Sequence, residues 1–123
     1  MPPGKFGYCI KDKVSGKIIS RQARVADNFY RRFMGLMFRN AIREEEALIF
    51  YHAPSIHTFF MKFPIDVVFL NKNMKVIRIA KSLRPWKAVT CLGSYVALEF
   101  AADTASRCHI KEGDTIDITA FEP

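Results

Sequence analysis

One apolar stretch in the middle of the chain, residues 56–71, constrains the fold more than any other segment. It is almost entirely aliphatic and aromatic, yet His57, Lys62 and Asp66 interrupt it and Pro64 divides it. A carboxylate among such neighbours is costly to bury unless it is paired or hydrogen-bonded. Asp66 therefore requires a partner that the fold must supply, and this stretch is where we expect a site.

The length and composition indicate one domain that spans residues 1–123. A chain of 123 residues fits a single domain of ordinary size. Half of the residues are hydrophobic and eleven are phenylalanine, so a packed core needs no disulfide or metal to hold it together.

The basic residues are unevenly distributed along a chain of net charge +7. Between residues 67 and 98 there is no acidic residue, whereas basic residues recur through it: Lys72, Lys75, Arg78, Lys81, Arg84 and Lys87. Such a flank could attract nucleic acid, phosphorylated ligands or anionic lipid. On a strand, however, a spacing of three alternates between faces, so the series forms no continuous stripe. Nucleic-acid binding is therefore the less favoured interpretation, and charge neutralisation between opposite patches is the simpler one.

The cysteines and the lack of long apolar runs indicate a cytoplasmic protein. Cys9, Cys91 and Cys108 include no C-x-x-C pair, which argues against a disulfide scaffold and suits a reducing compartment. The first residues lack the apolar core of a signal peptide, and no run approaches the length of a membrane span. We expect a soluble monomer without a membrane partner.

The pattern of short apolar runs predicts a mostly β fold with two short helices. Gly16 permits a turn between strands over 6–13 and 17–25, and Asp27 is a plausible N-cap for a helix over 28–34. Further strands are predicted over 47–51, 57–63, 65–71, 75–83, 95–101 and 115–121, with a second short helix over 102–108. These elements favour a single compact barrel or a jelly-roll-like sandwich.

Six segments together resemble a known family. They are RFMGLMFR (32–39), ALIF (47–50), IHTFFMKFPIDVVFL (56–70), LRPW (83–86), YVALEFAA (95–102) and the EGD turn (112–114). Their order and spacing resemble the DUF192 family of small bacterial and archaeal proteins over about residues 18–121. The resemblance implies a compact, mostly β domain of the barrel or jelly-roll type. It implies little about function, because the family is named for its unknown role.

General acid–base chemistry could be carried out by His57 together with Asp66, since a carboxylate can orient an imidazole. A bend at Pro64 could bring the two together, which would give an enzyme. The alternative is structural, with Asp66 accepting backbone N–H bonds or pairing with an arginine. No residue is assigned a catalytic role.

Four other residues complete the candidate ligand site. Arg39 is a natural partner for a buried carboxylate, and Trp86 offers a flat face for stacking a sugar or base. Glu99 lies opposite the apolar residues of its strand, so it is expected to face solvent or a cleft, and Lys62 adds a cation. Our leading hypothesis is a small binding module for a polar molecule, a sugar or an anion, whose cleft is lined by Arg39, His57, Lys62, Asp66, Trp86 and Glu99.

Metal, cofactor and nucleophile chemistry find little support in the sequence. His52, His57 and His109 lack the spacing of metal ligands, and no glycine-rich phosphate loop occurs. Cys91 and Cys108 have no local base, and there is no G-x-S-x-G motif. We therefore predict no metal and no cofactor, and favour a binding module over an enzyme.

Overall fold

The structure, a computed structural model, describes residues 5–26, Leu36 and 39–120. This part contains nine strands and one short helix, and the helix predicted over 28–34 lies outside the described residues. The first strands are β1 (Lys5–Asp12), β2 (Ile18–Val25), β3 (Glu46–Tyr51), β4 (Ser55–His57) and β5 (Ile65–Leu70). They are followed by β6 (Val76–Leu83), β7 (Ala88–Thr90), β8 (Val96–Ala101), α1 (Thr104–Arg107) and β9 (Ile116–Ala120).

Seven strands form one large sheet in the order β6-β5-β8-β3-β2-β1-β9, and β4 pairs with β7 in a second, small sheet. All pairs are antiparallel except β2 with β3. The predicted mostly β fold is confirmed. Of the two predicted forms, a barrel or a jelly-roll-like sandwich, the barrel is wrong because the large sheet is not closed. Its edges are β6 and β9, which meet where each strand begins, at the Lys75–Thr115 bridge and its neighbouring backbone hydrogen bonds.

Most of the predicted strands are present within one or two residues of the expected ends, including the hairpin of β5 and β6. The strand predicted over 57–63 is wrong. Pairing ends at His57, and the chain then turns back through residues 58–64. Residues 84–94, which lie between two predicted strands and were assigned to none, contribute the short strand β7 that pairs with β4.

The central strands β5 and β8 are buried at every position because apolar clusters cover both faces of the large sheet. On one face Val68, Leu98 and Phe100 pack with Ala105 of α1. On the other face Val67 and Ala97 belong to a cluster that includes Ile56 of β4, Met61 and Cys91 beside the small sheet. The two central strands therefore have no solvent-facing side.

Asp66 ties three parts of the fold together. It is fully buried. Its Oδ1 accepts a hydrogen bond of 2.8 Å from the backbone N–H of Ser82, and its Oδ2 accepts one of 2.8 Å from the N–H of Ala105. Ser82 has a φ of 49° and lies in a bulge of β6, where the pairing with β5 shifts register. The carboxylate thus joins β5, the bulge of β6 and the first turn of α1. The partner that the sequence required is a pair of backbone amides.

Replacing Asp66 with asparagine should strongly destabilise the protein. The side-chain amide can accept from only one of the two N–H groups, and its own N–H₂ would face the other donor. We expect the free energy of unfolding to fall by about 2–4 kcal/mol, measured by urea denaturation. Asp117→Asn is the matched control on the half-buried strand β9 and should change stability by less than about 0.5 kcal/mol. Equal stability of Asp66→Asn and the native chain would show that these hydrogen bonds do not hold the fold together.

Candidate functional site

Four exposed rings form a continuous surface at one end of the small sheet. We call His57, Phe59, Phe60 and Trp86 the aromatic surface. Phe59 is 39% exposed, Phe60 48% and Trp86 59%. The ring of Phe59 lies 5.9 Å from that of Trp86 at an angle of 25°, and Phe60 meets Trp86 edge-on at 4.7 Å. The ring of His57 lies 4.8 Å from that of Phe59. The four rings therefore form one row of contacts, in the order His57, Phe59, Trp86 and Phe60.

Thr58 holds the two segments that carry these rings. It is fully buried, and its hydroxyl donates to the carbonyl of Arg84 at 2.6 Å and accepts from the N–H of Lys87 at 2.9 Å. Its backbone N–H donates to the Lys87 carbonyl, and its carbonyl accepts from the N–H of Trp86. A side chain that forms hydrogen bonds with the backbone in this way takes the place of the backbone hydrogen bonds between paired strands. This is why the predicted strand over 57–63 gives way to a turn.

The backbone at Phe60 and Trp86 is in the left-handed region, with φ values of 63° and 65°. Large side chains rarely adopt this conformation, which costs of order 1 kcal/mol or more at each residue. The hydrogen bonds of Thr58 hold both turns in place. The result is that two large aromatic side chains project into solvent from a fixed backbone.

Three basic residues are close in sequence to the rings of the aromatic surface. Lys62 follows Phe60 by two residues, and Arg84 and Lys87 flank Trp86; all three are exposed. Between residues 47 and 102 the only carboxylates are those of Asp66 and Glu99, and both are buried. The segments that build the surface therefore present cations without exposed acids.

The six residues of the predicted cleft do not line one site. His57 and Trp86 belong to the aromatic surface, and Lys62 lies beside it in sequence. Arg39 is bound to Glu46. Asp66 and Glu99 are buried on opposite faces of the large sheet, because Asp66 pairs with Phe100 and Glu99 pairs with Val67 in the same two strands. The aromatic surface includes two residues that the sequence interpretation placed in a strand, Phe59 and Phe60. No short-range signal identifies them, because the hydrogen bonds of Thr58 that form this turn reach Arg84 and Lys87, 26 and 29 residues away.

The predicted pairing of His57 with Asp66 is not present. His57 is exposed, and its Nδ1 accepts the backbone N–H of Phe59 at 3.2 Å. Each carboxylate oxygen of Asp66 accepts a hydrogen bond from a backbone amide and is shielded from solvent. The geometry supports the structural alternative for Asp66.

Arg39 is part of a charge cluster centred on Glu46. One carboxylate oxygen of Glu46 accepts from the Arg39 guanidinium at 3.0 Å and from the backbone N–H of Arg43 at 2.9 Å, and the other lies 3.6 Å from Arg24. Burial by itself raises the pKa of Glu46, but these hydrogen bonds and charges outweigh it and leave the pKa below its ordinary value. The acceptor capacity of Glu46 is thus used within the protein, and Arg39 directs one of its guanidinium nitrogens to Glu46.

Glu99 is buried where the sequence predicted exposure to solvent or a cleft. It is 4% exposed and lies in β8 between Leu48 of β3 and Val67 of β5. Within the described part of the chain its carboxyl makes no hydrogen bond or ion pair. The nearest charged residue on the same face of β3 is Glu46, which Arg24 and Arg39 already engage. Desolvation raises the pKa of Glu99 to about 8.

A second surface feature is lined by residues that do not belong to the aromatic surface. An open depression of about 290 Å³, which we call the β2–α1 depression, is lined by Ile18, Ile19, Arg21, Glu44, Glu45, Arg107 and Cys108. Its charges include both signs, and Arg107 lies 4.0 Å from Glu44. Among residues 5–26, 36 and 39–120, no group of three or more His, Cys, Asp or Glu side chains is placed to hold a metal ion. No helix in that part is long and apolar enough to cross a membrane.

The raised pKa of Glu99 gives the stability a pH dependence of known sign. Between the ordinary pKa of 4.5 and about 8, the folded state keeps the proton that the unfolded state has released. The contribution of Glu99 to stability should therefore be greatest below pH 4.5 and should fall as pH rises toward 8, by on the order of 1 kcal/mol per pH unit. In Glu99→Gln this component is absent, so the variant should match the native chain at pH 5 and exceed its stability at pH 8.

Urea denaturation at both pH values measures this difference, and Glu112→Gln, at an exposed turn, is the control that should keep the native pH dependence. If Glu99→Gln also keeps it, the buried carboxyl is not the group that titrates.

Comparisons with known proteins agree with the fold. The model of the DUF192 family (“Uncharacterized ACR”) matches residues 10–118. A UPF0127 protein of Pyrococcus furiosus is 42% identical over 78 residues, which are 58% of this chain and 64% of that protein. A UPF0127 protein of Thermococcus sibiricus is 33% identical over 113 residues, 86% of this chain and 71% of that protein. The match thus spans less than two thirds of the Pyrococcus furiosus relative.

Two solved structures share the architecture. A protein of unknown function from Novosphingobium aromaticivorans has a TM-score of 0.76 at 25% identity, covering 89% of this chain and 82% of its own. A protein from Sinorhizobium meliloti has a TM-score of 0.79 at 17% identity, covering 94% and 97%, and this likeness concerns the fold alone. The family match over most of the domain, together with these relatives, shows that the chain belongs to the uncharacterised DUF192 family.

Proposed function

We propose that this protein is a binding module whose aromatic surface stacks the flat ring of a small polar ligand. The observation that carries the proposal is the exposure of Phe59, Phe60 and Trp86 on two turns that Thr58 locks together. Exposed single apolar side chains are ordinary, but a group of contacting aromatic rings is typical of an interaction site. The site is narrower than the six-residue cleft expected from the sequence, and it retains His57 and Trp86.

The strained backbone at the two turns supports this proposal. Phe60 and Trp86 hold a left-handed conformation that costs free energy in the folded protein. A core-packing role would offset that cost by burying the rings, whereas here about half of each ring residue is in water. Strain that holds an exposed group in a fixed position is characteristic of binding sites. A preformed surface also loses little conformational entropy when a ligand binds.

Binding without catalysis fits the neighbouring chemistry. His57 is the one titratable side chain within the aromatic surface, and it has no carboxylate partner there. Asp66, the residue that could have oriented it, is engaged by two backbone amides. The surface offers stacking faces and cations, which hold a ligand in place.

Trp86 provides a direct assay because it is the one tryptophan in the sequence. A ring that stacks on it should change its intrinsic fluorescence. We expect titration with neutral sugars and nucleosides to yield at least one ligand that quenches this emission. Phe59→Ala should weaken that ligand's binding about 10-fold, since stacking on one aromatic ring contributes about 1–3 kcal/mol.

Val14→Ala is the matched control, because Val14 is an exposed apolar side chain in the β1–β2 turn. It should leave the affinity unchanged. The proposal fails if every ring ligand leaves the Trp86 emission unaltered, or if Phe59→Ala and Val14→Ala bind the ligand equally well.

A further inference from the structure

We infer that the ring stacked on the aromatic surface is a nucleobase and that the partner is a single-stranded nucleic acid. This inference rests on the proposed function and goes beyond it, from a small ligand to a base within a longer strand. The segments that carry the exposed rings also carry exposed cations, so they supply two requirements of single-strand binding, namely several stacking faces and a set of cations for the phosphates.

The side chains present select against a neutral sugar. Sugar hydroxyls both donate and accept, so their recognition uses carboxylate and amide side chains that can answer them. Residues 52–63 and 84–91, which build the aromatic surface and the small sheet, contain no Asp, Glu, Asn or Gln. Lys62, Arg84 and Lys87 supply only donors with positive charge, which suit phosphate oxygens.

More than one base can be accommodated, because the rings differ in orientation. Phe59 and Trp86 lie within 25° of parallel, and Phe60 stands at 60° to Trp86. Each is partly exposed, so each offers its own contact to a base. Stacking of this kind tolerates any base, because every base has a flat π face.

A further cation lies beside the small sheet. The Arg78 guanidinium donates to the carbonyl of Thr90 in β7 at 2.9 Å, which places this exposed residue against the strand that follows Trp86. The prediction that the basic series forms no continuous stripe depends on the assumption of strict alternation along β6. That assumption is wrong, because the pairing of β6 with β5 shifts register twice, between Phe69 and Leu70 and between Ile65 and Val67.

The ligand must be single-stranded because the rings need unstacked bases. In a duplex the base faces are covered by their neighbours, and only edges and phosphates are accessible. Protein rings that stand on short turns can reach a base face only in an unpaired strand.

The test uses a fluorescein-labelled oligouridylate of ten nucleotides, followed by anisotropy and by Trp86 emission. Trp86→Ala should weaken binding about 10-fold. The triple variant Lys62→Gln, Arg84→Gln, Lys87→Gln should reduce the slope of log affinity against log salt by about 2, which is three phosphate contacts at about 0.7 each. A hairpin duplex of the same length should bind more weakly than the single strand.

The matched control is the triple variant Lys13→Gln, Lys17→Gln, Lys111→Gln. These three lysines are exposed on other turns, and their loss lowers the net charge by the same amount. Its salt slope should stay close to that of the native chain. Thermal unfolding of every variant checks that the fold is retained.

The outcomes separate the inference from the proposed function. If the slope of log affinity against log salt falls by the same amount in both triple variants, binding is general attraction to a basic protein. The inference is then overturned. It is also overturned if an acidic polysaccharide quenches Trp86 and the oligouridylate does not, although the proposed function then stands. If neutral ring ligands, the polysaccharide and the oligouridylate all leave Trp86 unaffected, both fail.

Discussion

The two hydrogen bonds of Asp66 are the constraint on which the arrangement of this domain depends. A buried carboxylate requires donors, and here the donors are backbone amides of two different elements, the bulge of β6 and the start of α1. Because the bulge at Ser82 is held in place, the chain leaves β6 in a fixed direction toward Pro85 and Trp86. A buried polar residue in the strand next to the edge of the sheet thus sets the position of a turn at that edge.

Thr58 is the second buried polar residue that positions the turns of the aromatic surface. Its hydroxyl and backbone groups join the turn after β4 to the turn before β7, so Trp86 meets Phe59 and Phe60, which lie far from it in sequence. The buried polar groups and the exposed rings therefore have separate tasks. Asp66 and Thr58 form the scaffold, whereas the rings and the neighbouring cations form the surface that meets a partner.

The sequence predicted the elements of the fold better than the site. Strand positions follow from local patterns, and the need of Asp66 for a partner follows from its neighbours. The identity of that partner cannot be predicted from its neighbours, because Ser82 and Ala105 lie 16 and 39 residues from Asp66 in the sequence. Barrel closure was beyond prediction for a similar reason, since it depends on how far the edges β6 and β9 pair with one another.

Glu99 and the two phenylalanines show where local pattern is misleading. Alternation in β8 indicated one exposed face, but tertiary pairing placed this strand in the centre of the sheet, where both faces are covered. The apolar run of 57–63 indicated a strand, but the side chain of Thr58 competes successfully for the backbone. Both errors come from long-range contacts that no short window contains.

The most direct test of the account is the ¹H–¹⁵N correlation spectrum of the protein during titration with the oligouridylate. The indole N–H of Trp86 gives one resolved signal, because the sequence has one tryptophan. The account predicts that this signal and the amides of Phe59, Phe60 and Lys87 shift, while the amide of Ala105, held by Asp66, does not. Shifts confined to the β2–α1 depression, with the Trp86 indole unmoved, would contradict it.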